Sequence, residues 1–211
     1  MMASDMEYLN LINTSINEMQ DIIENSANLV RDSLVNKKTG MSKQTFEFSK
    51  EIQIKEEEVV EMCVQALIRY QPFASDLRSV TVAMKISYDL VRVCRYLYNI
   101  TEMQDEFNVR DCEIAEIIEL FDDAIDLVKQ SINCYFEHDA KNSMEICKKD
   151  DPIDIKYRKI IEKYKLQGVF NGECILFNAL TARIIERMAD HACYISNEVI
   201  YMVTGRRTSF R

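Results

Sequence analysis

The stretch Thr181–Gly205, TARIIERMADHACYISNEVIYMVTG, joins a long apolar helical face to a concentrated patch of ionisable side chains, and the rest of the chain can be read outward from it. Ile184, Ile185, Met188, Ala192, Ile195, Val199 and Met202/Val203 recur at three- and four-residue steps, which places them on one side of a helix and predicts a core face. Glu186 and Asp190 are four residues apart, so both carboxylates project from one strip of that helix, with Arg187 and His191 beside them. Gly205 is placed to end the helix, because glycine adopts the left-handed conformation of a C-terminal cap without steric cost.

The same periodicity runs through the chain. Leu9, Ile12, Ile16, Met19, Ile23, Ala27, Val30 and Leu34 predict a first helix from about Asp5 to Asn36, closed by Lys37–Gly40. Ser42 is expected to cap a second, running through Phe46, Ile52, Val59, Cys63 and Leu67 to Tyr70, where Pro72 stops it. A third starts within Phe73–Asp76 and reaches about Asp105; apolar or small residues around much of its circumference predict a central place in a bundle. A fourth is read from about Val109 to Phe136. The fifth occupies about Ala140 to Gln167 behind an Asp139 cap, with a kink or restart expected at Pro152, and Gly168 and Gly172 bracket the link to the last.

Two internal offsets show a duplication. The apolar series Ile114, Ile117, Phe121, Ala124, Val128, Ile132 and Tyr135 follows that of the first helix at 105 residues. Arg92/Arg187 and Ile100/Ile195 are identical at 95. The expected architecture is all-α: two tandem three-helix units, residues 1–107 and 108–211, packed side by side as six long helices.

Composition agrees with this class. Four glycines and two prolines in 211 residues are too few for the repeated turns of a β-rich chain, and 47% hydrophobic residues supply an ordinary core. No apolar run reaches membrane-span length and the opening MMASDMEY is too polar for a signal peptide, so a cytoplasmic protein without membrane insertion is expected. A net charge of −9 disfavours nucleic-acid binding. Seven scattered cysteines without a CxxC pair argue against disulfides and a thiolate zinc site, and predict small buried hydrophobes.

Asp150 and Asp154 repeat the four-residue spacing of Glu186 and Asp190 on the preceding helix, where the two strips could converge. Such an oxygen-only set suits a hard or borderline cation. Asp122 and Asp126 share the spacing and read as a solvated face, so spacing alone does not select a site. His138 and His191 are the only histidines and neither lies three residues after a glutamate, which removes the Glu-x-x-His signature of ferritin-like oxidases. His191 reads either as a metal ligand or its hydrogen-bonding neighbour, or as a structural residue. No phosphate-binding glycine loop or G-x-S-x-G elbow occurs.

QPFASDLRSVTVAMKISYDLVRV (Gln71–Val93), IIERMADHACYISNEVIYMVTG (Ile184–Gly205) and DDPIDIKYR (Asp150–Arg158) resemble the signature helices of the PhoU family, over nearly the whole chain. The resemblance implies a non-enzymatic, often homodimeric regulator of phosphate uptake and phosphate-starvation signalling. Its partners would be a phosphate transporter subunit or a sensor kinase. It further implies acidic motifs that bind metal, iron or zinc ahead of manganese or magnesium, carried over here to Glu186 and Asp190 and then to Asp150 and Asp154. The first half departs from the pattern: the corresponding positions are Val91 and Arg95, and Glu51 is the one acid near the matching place on the second helix, a candidate partner for Arg95. The alternatives are a metal-dependent hydrolase or oxidase using the same carboxylates, and a metal-free helical adaptor.

Overall fold

The computed structural model describes residues 2–166 and 172–207. Among them are six helices: α1 (Met2–Val35), α2 (Ser42–Tyr70), α3 (Ser75–Glu106), α4 (Ala115–Glu137), α5 (Ala140–Leu166) and α6 (Gly172–Thr204). No strand occurs among the described residues.

α1, α2 and α3 pack on one another, α4 and α5 pack on α6, and the halves meet through α3 against α6 and α1 against α4. The two helices with the widest apolar circumference, α3 and α6, thus make the most extensive packing, each within its own repeat and against the other. Ile86, Leu90, Val93 and Leu97 of α3 and Ile185, Met188, Ile195 and Val199 of α6 belong to one apolar core that extends through both repeats. Ile184 is only partly buried and Val203 is exposed; the buried line runs through Ile185 and Met202 instead. The junction also carries directed contacts. Arg78 Nε donates to the Met202 carbonyl at 3.0 Å, Lys85 pairs with Glu198 at 2.7 Å, and Arg31 grips Asp122 through two bonds of 2.7 and 2.8 Å. Asp122 therefore ties α1 to α4 from a half-exposed position.

Helix ends follow local chemistry in most places. Gly205 has φ +71° and its N–H donates to Tyr201 O at 2.8 Å, as a closing glycine should. Asp139 Oδ1 accepts the Asn142 N–H at 2.9 Å and caps α5, and His138 ends α4 in the left-handed region at φ +53°. Ser42 is not the cap of α2. The Asp105 carboxylate, from the end of α3, accepts the N–H groups of Gly40 and of Ser42, the latter at 3.2 Å, and so places negative charge on the helix N-terminus from another element.

Two further expectations are corrected. α4 begins at Ala115 rather than Val109: residues 107–114 are non-helical although Val109, Cys112 and Ile114 are buried, so their apolar character reflects burial in a loop and not a helical stripe. Of the kink or restart expected at Pro152, the restart does not occur: α5 is one helix from Ala140 to Leu166. Pro152 faces solvent while Ile146, Ile153 and Ile160, seven residues apart, are buried on either side of it, and that packing outweighs the lost intrahelical donor. Gln167 and Gly168, read as the end of α5 and its link, lie outside the described residues.

The reading of the cysteines is corrected in part. Cys112, in the α3–α4 connection, is bonded to Cys174 in the first turn of α6, with Cα atoms 5.2 Å apart. An odd count and absent CxxC spacing constrain neighbours in sequence, whereas these two are 62 residues apart and meet only because α6 packs beside α4. Cys63, Cys94, Cys134 and Cys193 are buried as expected.

Candidate functional site

α5 and α6 set the candidate carboxylates on facing elements. Asp150 is 2% exposed and Glu186 7%, while Asp154 and Asp190 are half-buried. Acidic side chains are rarely buried to this degree unless something compensates their charge. Part of the compensation is visible. Arg183 Nη1 donates to Glu186 Oε1 at 2.7 Å while its guanidinium lies 5.7 Å from the Tyr157 ring centroid, so one cation on α6 serves Glu186 and an aromatic face on α5. Arg158 approaches Asp154 at 3.6 Å from an exposed position.

The expected convergence of four carboxylates is only partly realised: among the described residues no group of three or more His, Cys, Asp or Glu side chains gathers at metal-binding distance. Two buried carboxylates on packed helices nonetheless provide the oxygen donors a hard cation takes, and both lie where the acidic strips were expected. In donor chemistry these two residues suit such an ion.

His191 is held by a buried carboxylate of the other repeat, as its structural reading allowed. Its Nδ1 lies 2.8 Å from Asp89 Oδ1, and both are buried at the α3–α6 junction. Tyr96 and Tyr194 flank the imidazole at ring-centroid distances of 5.7 and 5.3 Å. Burial raises the Asp89 carboxyl above its ordinary range, and the hydrogen bond and charge of His191 counter that rise. Asp89 was not singled out in the sequence, although an acid on the otherwise apolar inner face of α3, within ISYDLVRV, was a signal for it.

In the first half, Val91 packs partly buried against the core and Arg95 is exposed, its guanidinium 5.0 Å from the Tyr98 ring centroid. Arg95 thus engages an aromatic neighbour on its own helix, and among the described residues no ion pair joins it to Glu51. Buried polar contacts replace acidic ones here: Thr45 and Thr101 hydroxyls meet at 2.6 Å, and Ser33 donates to Gln104 Oε1 at 2.9 Å.

The PhoU domain family matches the chain twice, over residues 16–103 and 117–199. The chain belongs to the PhoU family. One PhoU match falls in each half of the chain, as a repeated helical unit requires. Among similar proteins are the phosphate-specific transport system accessory protein PhoU homolog 1 of Thermotoga maritima, 28% identical over 94% of this chain and 88% of that protein, and the PhoU homolog of Synechocystis sp., 30% identical over 94% and 91%. The crystal structure of PhoU from Pseudomonas aeruginosa superimposes with a TM-score of 0.83 at 23% identity, covering 94% of this chain and 98% of that one. That of the phosphate transport system regulatory protein PhoU from Streptococcus pneumoniae gives 0.86 at 19%, covering 96% and 98%. These two likenesses establish the six-helix fold.

Proposed function

We propose that this chain is a non-enzymatic regulator of phosphate uptake and phosphate-starvation signalling, acting in the cytoplasm through protein partners of the phosphate transport system. The observation that carries this reading is the PhoU match over both repeats, alongside relatives named as accessory proteins of that system. The partners are a transporter subunit or a sensor kinase, and the working form is a homodimer. No helix among the described residues is long and apolar enough to cross a membrane, which is consistent with docking on a membrane transporter from the aqueous side. Deleting the gene and restoring it should change phosphate uptake between phosphate-rich and phosphate-poor growth, and pull-down under both conditions should recover a transport-system protein. Unchanged uptake with no such partner would overturn the proposal.

The second half holds a cation through Glu186, Asp190, Asp150 and Asp154, with iron or zinc preferred to manganese or magnesium. Burial of Asp150 and Glu186 supports it, since a divalent ion relieves the repulsion of neighbouring carboxylates. The first half offers Val91, which has no donor atom, and Arg95, a permanent cation. Metal analysis of the purified chain should find that Glu186→Gln with Asp190→Asn removes most bound metal while Arg95→Ala leaves it unchanged. Equal metal in the double variant would sink the assignment, and phosphatase and oxidase assays on the same samples test the hydrolase and oxidase alternatives.

A further inference from the structure

Cys147 and Cys193 stand apart from the other cysteines. They meet at the α5–α6 contact, where the Cys147 thiol lies 3.9 Å from the backbone carbonyl oxygen of Cys193 and 4.0 Å from Asn197 Oδ1. Cys147 is half-buried and so partly open to solvent, whereas Cys193 is buried. A hydrogen bond from the Cys193 side chain draws the Cys147 thiol below its ordinary range, against the opposing effects of burial and of the Asp150 charge. Burial alone pushes Cys63 up to about 12; Cys94 also reaches about 12, and Cys134 is raised. A partly exposed thiol that contacts a second cysteine through both its backbone carbonyl and its side chain has the makings of a peroxide-reactive dithiol.

We propose that Cys147 and Cys193 form a redox-reactive pair that closes to a disulfide on reaction with hydrogen peroxide or a related hydroperoxide. The Cys147 thiolate attacks the peroxide; the O–O bond breaks, a sulfenic acid forms, and the departing hydroxide takes up a proton to leave as water. The Cys193 sulfur then attacks the Cys147 sulfur, the S–O bond breaks, and the second water carries away the Cys193 proton. Two thiols are oxidised and one hydrogen peroxide is reduced to two waters. The new bond joins α5 to α6 three residues from Asp150 on one helix and three from Asp190 on the other. The inference stands on the two thiols and not on metal binding.

The test uses the purified chain treated with hydrogen peroxide, followed by alkylation and peptide mass mapping without reduction, with the Cys112–Cys174 linkage as an internal reference. The expected result is a linked peptide pair containing Cys147 and Cys193, formed roughly tenfold faster than oxidation of Cys63, Cys94 or Cys134. Cys147→Ser should abolish it, and Cys193→Ser should leave a sulfenic acid at Cys147 that dimedone traps. The proposal is overturned if the wild-type chain yields no Cys147–Cys193 linked pair, with or without a trapped sulfenic acid, if the buried thiols oxidise as fast, or if Cys147 links instead to Cys112 or Cys174. Wild-type mapping decides these outcomes even where a serine variant fails to fold.

Discussion

At the residue scale, the buried Asp89–His191 contact makes the most specific demands on stability. His191→Ala would leave the Asp89 carboxyl buried without its hydrogen-bonding partner, and a loss of about 1–3 kcal/mol is expected from urea unfolding. Because burial raises the folded Asp89 pKa, the native state keeps a proton that the unfolded chain releases. That contribution is complete below the unfolded value, about 3.9, and is lost as pH rises through the raised folded value. Asp89→Asn should therefore flatten the fall in stability that begins near pH ~4; an unchanged slope in urea midpoint against pH would dismiss the assignment. Apolar positions follow burial in the same way. Ile195 is fully buried, so Ile195→Ala should cost roughly 2–5 kcal/mol, and the half-buried Ile184 clearly less. Equal costs would show that the core line through α6 is misplaced.

At the element scale, the helices were legible because a three- to four-residue apolar rhythm is a local property, written in consecutive residues and independent of what the face packs against. α2 ends at Tyr70, as Pro72 implied, and begins at Ser42, one residue after the Met41 position that caps it. The error at α4 has a physical cause. Val109, Cys112 and Ile114 are spaced like a helical stripe but are buried in a non-helical connection held to α6 through Cys112. Capping shows the same division: Asp139 acts within three residues of its target, whereas Asp105 reaches α2 from α3. Asp105→Ala should accordingly lower stability by about 0.5–2 kcal/mol, and Ser42→Ala much less. Chemical unfolding of the two variants checks this, and a larger loss for Ser42→Ala would restore the local cap.

At the scale of the whole molecule, the repeats share one apolar core and are crossed by Arg31–Asp122, Lys85–Glu198 and Asp89–His191. Urea unfolding of the intact chain should therefore be a single transition, and residues 1–107 alone, with the α3 face that packs on α6 uncovered, should unfold at a lower midpoint or self-associate. An isolated repeat as stable as the whole would mean that the junction contributes nothing. By itself the sequence determined the all-α class, the six-helix order, the duplication, the apolar line on each helix and, through QPFASDLR and IIERMADHA, the family. Each of these rests on neighbouring residues or on a repeated pattern. Only the tertiary structure decided that His191 faces Asp89, that Arg95 lies over Tyr98, that Cys112 meets Cys174 while Cys147 lies beside Cys193, and that Asp150 and Glu186 are the buried members of the acidic strips. Apart from the Arg95 contact, those pairings span tens of residues or more and depend on how one helix is rotated and shifted against the next. Periodicity along a single helix specifies which side faces inward, not which side chain on another helix it will meet.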